Sequence, residues 1–295
     1  MLRAEPVAFV CTVVAFTLLI GSFLNVVIHR LPLMMHREWA QQCAELQSED
    51  GPDLSALPEK YNLVVPRSAC PHCGHQITAM QNIPVISYLM LGGKCAGCKA
   101  PISKRYPIIE AFTAVLCGIT AAHFGFGAEA LAAVALTIAL VALSAIDFDT
   151  QLLPDSITLP LIWLGLILSL FHPHDGASTL FITPTAAIVG AVGGYMALWL
   201  VTNGYKLLTG KIGMGEGDFK LLAVFGAWLG WEKLPLIIIF SAGVGAVVGV
   251  ALIVLTKRGK NVPIPFGPYL AAAGWIAMLW GDQIVGTYKG IVGLS

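Results

Sequence analysis

Long apolar stretches, repeated along all 295 residues, are the feature that most limits what this chain can fold into. A helix that crosses a bilayer needs about 20 mostly apolar residues. Because 57% of the residues are hydrophobic and only 12% are charged, the composition is that of a polytopic membrane protein. The predicted fold class is all-α, with about eight transmembrane helices, at residues 7–28, 107–125, 130–146, 157–171, 184–203, 218–231, 234–256 and 266–281.

The distribution of Lys and Arg predicts how these spans are oriented. Short cytoplasmic loops near span ends are enriched in both residues. With eight spans, one set of alternate loops carries fourteen of the seventeen basic residues, and the other carries Arg3, Lys233 and Lys289. The basic side is therefore predicted to be cytoplasmic, with both termini on the opposite side. The basic residues are dispersed without interleaved aromatics, so no nucleic-acid partner is indicated.

A polar segment of residues 30–105 lies between the first two predicted spans. It contains Cys70-Pro71-His72-Cys73 and Cys95-Ala96-Gly97-Cys98, two CxxC pairs separated by 21 residues. Four thiolates at such spacing converge on zinc at about 2.3 Å, and a closed site of this kind stabilises a small fold. The sequence therefore predicts a zinc-binding cytoplasmic module. Disulfides are the alternative, which a reducing compartment disfavours, and His72 or His75 could replace a thiolate.

These features predict three regions, namely a first transmembrane helix (1–29), the cytoplasmic zinc-binding module (30–105) and a seven-helix membrane domain (106–295).

Two aspartates stand at predicted membrane boundaries. Asp147 closes the third span, and Asp218 follows Gly215-Glu216-Gly217 and opens the sixth. Carboxylates at such depth are functional candidates. Two that lie close together can share a proton and activate water, because like charges at short range cannot both ionise. For Asp218 alone, a reaction site and an ordinary capped turn are equally consistent with the pattern.

Neighbouring carboxylates offer competing assignments. Asp149 lies about 200° further round the helix than Asp147 and is predicted to face solvent. Asp155 follows Pro154 and precedes an apolar run, which predicts a structural helix N-cap. The Asp147-Phe148-Asp149 pattern also occurs where a divalent metal is held in membrane transferases. A proton-coupled transporter, with Asp147, Asp218 and Glu110 as relays, is a third possibility.

Further patterns in the chain are Gly21-Ser22-Phe23-Leu24-Asn25-Val26, Arg30-Leu31-Pro32, Asn82-Ile83-Pro84, Ser87-Tyr88-Leu89, Arg105-Tyr106-Pro107 with Glu110, Asp147 to Asp155, and Gly213 to Lys220. Together with both CxxC pairs, these segments are spread over most of the chain. They resemble the prepilin peptidase family, the bifunctional leader peptidases and N-methyltransferases of type IV pilus and type II secretion systems.

This resemblance implies a function and a site. It implies an aspartyl endopeptidase with Asp147 and Asp218 as the catalytic pair, acting on prepilin and pseudopilin precursors after a glycine at the cytoplasmic face. It further implies a bacterial inner-membrane location with periplasmic termini. Because the cysteine module is retained, it implies N-methylation from S-adenosylmethionine, with the module as the methyltransferase part. Asn25 and Glu110 either line that methylation site or join helices.

Overall fold

The computed structural model describes residues 5–46, 61–172, 180–211, 213–256 and 265–292. Within these ranges the chain forms nine α-helices, short 3-10 helices at Met80–Asn82 and Trp231–Lys233, and isolated β-bridges. The helices are α1 Pro6–Leu46, α2 Ile86–Met90, α3 Arg105–Phe124, α4 Ala128–Thr150, α5 Asp155–Ser169, α6 Pro184–Thr209, α7 Glu216–Leu229, α8 Leu234–Thr256 and α9 Gly267–Val292. The predicted all-helical fold class is confirmed.

Each of the eight predicted spans falls on a helix, but fewer than eight of the described helices are both long and apolar enough to be candidate membrane spans. Five of the described helices are long and apolar enough, namely α1, α3, α4, α6 and α8. The predicted spans 157–171 and 218–231 correspond to α5 and α7, which have 15 and 14 residues. At 1.5 Å per residue these two helices are about 21–23 Å long, shorter than the hydrocarbon core of about 30 Å. The structure thus gives five candidate spans, and a count of eight stays a prediction.

Helix α1 extends far beyond the predicted first span. Its 41 residues continue through Pro32 without a break and reach about 60 Å, twice the thickness of a hydrocarbon core. Residues 30–46, predicted as part of the polar module, therefore continue the first membrane helix. Five of the basic residues used to predict orientation lie outside the described residues: Arg3, Lys60, Lys257, Arg258 and Lys260.

The chain forms two compact units, Met1–Phe126 and Gly127–Ser295. In the first unit, α1 packs along α3 where small residues allow close approach. A Cβ atom on Gly21 would lie 2.8 Å from the Cα atom of Glu110, and one on Gly118 would lie 2.8 Å from Val14 Cγ2. Small residues at such crossings let the backbones of membrane helices touch. The cysteine pairs lie between these two helices in sequence.

Helix α7 is the buried centre of the second unit. All of its residues from Asp218 to Leu229 are buried except the half-buried Lys220. It crosses α6 at a pair of glycines, where a Cβ on Gly190 would lie 2.3 Å from the Gly226 carbonyl oxygen. Because protein surrounds this short helix, the carboxylate in its first turn lies within the helix bundle.

Candidate active site and metal centre

Asp147 lies in the last turns of α4 and is buried, with 5% of its surface exposed. The helix ends beyond it because Gln151 adopts a left-handed conformation (φ 56°) and donates its N–H to the Asp147 carbonyl at 2.9 Å. Its carboxylate oxygen Oδ2 accepts the backbone N–H of Gly267 at 2.9 Å. Asp149 is exposed, as its position round the helix predicted.

Asp218 lies in the first turn of α7 and is also buried, with 8% exposed. The preceding Gly215 is the N-cap, in extended conformation, and its carbonyl accepts the Asp218 N–H at 3.3 Å. The carboxylate lies close enough to Asp147 for the two negative charges to repel each other. The fold therefore brings together the two aspartates that the sequence singled out.

Leu153 holds the starts of two helices beside these carboxylates. A Cβ atom on Gly217 would lie 2.7 Å from the Cβ of Leu153, and one on Gly267 would lie 3.3 Å from its Cδ2. The loop after α4 is thus packed against the first turns of both α7 and α9. Glycine at both positions leaves room for the Leu153 side chain. This packing fixes how the carboxylates on α4 and α7 approach each other.

Gly267 is a site residue that the sequence reasoning missed. It is the first residue of α9 and is 120 positions away from Asp147 along the chain. The only local signal is the following Pro268, since proline is favoured where helices begin. That signal predicts a helix start and gives no indication of the carboxylate that the glycine meets.

Asp155 pairs with Lys220 rather than capping α5. The N-cap is Pro154 and Asp155 is the first helical residue, so the predicted N-cap is wrong by one position. Lys220 Nζ lies 2.6 and 2.8 Å from the two carboxylate oxygens of Asp155. The pair joins α5 to α7 two residues beyond Asp218, and it gives Asp155 a structural partner.

The four cysteines of the CxxC pairs converge in the first unit. The sulfur atoms of Cys70, Cys73, Cys95 and Cys98 all lie within 4.8 Å of one another. Two of the separations, Cys70 to Cys98 and Cys73 to Cys95, are 3.8 and 3.9 Å. A tetrahedron of sulfurs at 2.3 Å from zinc has edges of about 3.8 Å, whereas a disulfide needs about 2.05 Å. The cluster can therefore bind a metal ion, and the donor set fits zinc.

Two similar backbone turns build this centre. The Cys70 N–H donates to the His75 carbonyl, and the Cys95 N–H donates to the Ala100 carbonyl, at 2.9 and 2.8 Å. Within the second turn, the backbone N–H groups of Cys98 and then Gly97 donate to the Cys95 sulfur and lower the pKa of this thiol to about 6. In the first turn the backbone N–H of His75 lowers the pKa of the Cys73 thiol, but the neighbouring Cys98 thiol and burial raise it, to about 11 overall. Only in the second turn does the backbone shift a thiol towards the thiolate form that binds metal.

Asn25 and Glu110 both form hydrogen bonds between chain segments. Glu110 is buried on α3, and its Oε2 accepts the N–H of Val85 at 2.8 Å. Ser22 Oγ on α1 donates to Asn82 Oδ1 at 3.3 Å, and the Asn25 amide donates to a carbonyl at the start of α3. These contacts tie the end of the cysteine-bearing segment to α1 and α3.

Fold and site together define a helical membrane protein with a buried pair of aspartates and a separate four-cysteine centre. Residues 15–124 match the Bacterial Peptidase A24 N-terminal domain, and residues 134–250 match the Type IV leader peptidase family. The chain belongs to the type IV leader peptidase family, and the resemblance seen in the sequence is confirmed.

Relatives of known name match along nearly the whole chain, and all three described here are named "Prepilin leader peptidase/N-methyltransferase". The protein from Pseudomonas aeruginosa is 53% identical over 294 residues, which cover 100% of this chain and 98% of that protein. Those from Stutzerimonas stutzeri and Aeromonas hydrophila are 54% and 52% identical, covering 97% and 96% of this chain and 96% and 94% of theirs. No solved structure matches the chain with significance.

Proposed function

We propose that this protein is an aspartyl endopeptidase that removes the leader of type IV prepilins and pseudopilins, and that it methylates the new amino terminus. The observation that carries the proposal is the pairing of Asp147 and Asp218. Both are buried, they come from different helices, and they lie within electrostatic reach. Membership of the leader peptidase family and the names of the relatives support the same activities.

The proposed chemistry uses both carboxylates without an acyl-enzyme. One ionised carboxylate takes a proton from water, which then attacks the scissile carbonyl, while the protonated partner donates a hydrogen bond to the carbonyl oxygen. The Gly267 N–H holds Asp147 in one orientation, which fixes the direction from which that carboxylate meets water. The pair acts as one unit, because repulsion between the charges favours a single shared proton.

The proposed substrate suits a site at a membrane boundary. Prepilin and pseudopilin precursors would be cut after a glycine, between a short basic leader and a hydrophobic helix that stays in the lipid bilayer. The proposed location is the bacterial inner membrane, with the aspartates at the cytoplasmic face and the termini in the periplasm. The predominance of basic residues in one set of loops supports this orientation.

A cleavage assay in detergent tests the proposal directly. The purified protein is incubated with a synthetic precursor that contains a basic leader, the glycine and the following apolar helix, and the products are weighed by mass spectrometry. We expect cleavage after the glycine, and addition of a methyl group when S-adenosylmethionine is supplied. If the precursor stays intact although circular dichroism shows that the protein is folded, the peptidase assignment is contradicted. The transferase and transporter alternatives then apply again.

We assign zinc to the thiolates of Cys70, Cys73, Cys95 and Cys98. The ion would stabilise the fold of residues 66–101 by joining the two turns. Residues 30–105 are then the proposed methyltransferase part, and residues 106–295 the proposed peptidase domain. No step of peptide cleavage is assigned to the metal.

Cys70→Ser is expected to remove zinc from the protein, because three thiolates do not close a tetrahedral site. Metal analysis by mass spectrometry should find one zinc ion per wild-type chain and almost none in the variant. The matched control is Cys43→Ser, which changes an exposed thiol on α1 outside the cluster and should keep the zinc. Full zinc content in Cys70→Ser would show that the four-thiolate assignment is wrong.

S-adenosylmethionine is the proposed methyl donor. A cavity of about 290 Å³ in the first unit is lined by Pro6, Val7, Val10, Cys11 and Ala122. This apolar lining offers no side-chain partner for the ribose hydroxyls or the charged groups of the donor, so the cavity does not fit it.

Asp155→Asn is expected to keep most of the cleavage activity. The Asp155 side chain is 55% exposed and that of Lys220 is 21% exposed, and an ion pair this open to solvent contributes about 0–1 kcal/mol. Cleavage rates of Asp155→Asn and Lys220→Gln, measured beside their thermal unfolding in detergent, should therefore stay near wild type. If Asp155→Asn loses cleavage while remaining folded, Asp155 has a role in the chemistry that the ion pair does not explain.

A further inference from the structure

Apolar side chains are exposed together at the end of the cysteine-bearing segment, on α2 and the turn before it. This apolar edge consists of Met80, Ile83, Ile86, Leu89 and Met90, which are 78%, 40%, 57%, 70% and 83% exposed. Clustered exposed apolar residues mark an interaction surface. The edge lies outside the predicted transmembrane spans, so crossing the bilayer core does not account for it.

Two hydrogen bonds fix the position of this edge along the membrane helices. Ser22 of α1 bonds to Asn82, and Glu110 of α3 accepts the N–H of Val85, directly before α2. Ser22 lies six residues inside the predicted end of the first span, about 9 Å along the helix. Glu110 lies three residues inside the second span, about 4.5 Å. Measured from the predicted ends of these spans, the start of α2 lies at a depth of about 5–10 Å, where amphipathic segments lie in a membrane interface.

The charge of the segment suits an anionic surface. Residues 61–105 contain five basic residues and no Asp or Glu. All five are exposed: Arg67, Lys94, Lys99, Lys104 and Arg105. Basic residues beside a membrane helix are attracted to the negatively charged lipids of the cytoplasmic leaflet. Apolar side chains combined with basic residues and few acidic ones are the composition of segments that lie in the plane of the membrane.

We propose that the apolar edge is a membrane-docking surface, inserted into the headgroup region of the cytoplasmic leaflet and held there by anionic phospholipid. Leu89 and Met90 would reach the first carbons of the acyl chains, while the exposed lysines contact lipid phosphates. This surface belongs to the first unit and the aspartate pair to the second, and the proposed role does not depend on cleavage. It places the cysteine centre beside the bilayer.

The test measures the depth of the edge in the full-length protein. A nitroxide amino acid replaces Met90, and the protein is placed in nanodiscs of phosphatidylethanolamine and phosphatidylglycerol. Collision rates with oxygen, which partitions into lipid, and with a water-soluble nickel chelate are measured by electron paramagnetic resonance. The same label at Phe112, exposed on α3, is the lipid reference, and at His72, exposed between Cys70 and Cys73, it is the water reference.

We expect the ratio of oxygen to nickel collisions at position 90 to be well above that at position 72 and to approach that at position 112. A ratio equal to that at position 72 would overturn the proposal. Protection from both reagents would also overturn it, because protein rather than lipid would then cover the edge. Replacing phosphatidylglycerol by phosphatidylcholine should lower the ratio at position 90. An unchanged ratio would overturn the role of anionic lipid.

Discussion

Asp147→Asn and Asp218→Asn should each abolish cleavage of a prepilin precursor. Asparagine keeps the shape of the side chain but can neither take a proton from water nor share one with its partner. A positioned acid or base contributes about 10²- to 10⁴-fold to a rate, and we expect losses in that range or beyond for either variant. Because the two carboxylates act as a pair, the double variant should lose little more than each single variant.

Asp149→Asn is the matched control, since it removes a carboxylate two residues from Asp147 on the same helix. Asp149 is exposed whereas Asp147 is buried, so this variant should cleave near the wild-type rate. Rates are measured at several precursor concentrations with protein that is folded in detergent. Loss of cleavage in Asp149→Asn with retention in Asp147→Asn would shift the assignment by two residues, and normal cleavage by all three would exclude the aspartate pair.

Much of the fold could be predicted because membrane helices carry their signal locally. A run of apolar residues must form a helix in lipid, where every backbone group needs an internal partner, and all eight predicted spans fall on helices. The metal centre could also be predicted, because the CxxC spacing itself brings two sulfurs together in each turn. Asp147 and Asp218 stood out because carboxylates are costly at such positions.

The features that escaped prediction depend on contacts between distant segments. The continuation of α1 to Leu46 could not be foreseen, because polar sequence after a span is compatible with either helix or loop. Whether a short apolar stretch crosses the membrane also depends on its neighbours. Helix α7 is buried against α6, α5 and α9, so its apolar residues meet protein, which hydropathy cannot distinguish from lipid. Gly267 could not be predicted for a similar reason, because its partner is a carboxylate on another helix.

Gly267→Ala should reduce cleavage by about 10²-fold, the loss that a displacement of roughly 1 Å in a reacting group can cause. The added Cβ would lie 2.7 Å from Oδ2 of Asp147, closer than such atoms can approach, and 3.1 Å from Cγ, which is a tight contact. Either the carboxylate turns away from Gly267 or the start of α9 moves and its N–H withdraws. In both cases Asp147 loses the orientation that the hydrogen bond from Gly267 provides.

Gly215→Ala provides the control within the same site. Gly215 caps α7 three residues before Asp218, its φ of −78° suits alanine, and nothing lies within 4 Å of a Cβ added there. This variant should therefore cleave at nearly the wild-type rate. Thermal unfolding in detergent distinguishes a local displacement of Asp147 from loss of the whole fold. The Gly267→Ala protein should remain folded although its cleavage rate falls. If both glycine variants cleave equally well, the contact between α9 and Asp147 does not govern the position of the carboxylate, and the proposed role of Gly267 fails.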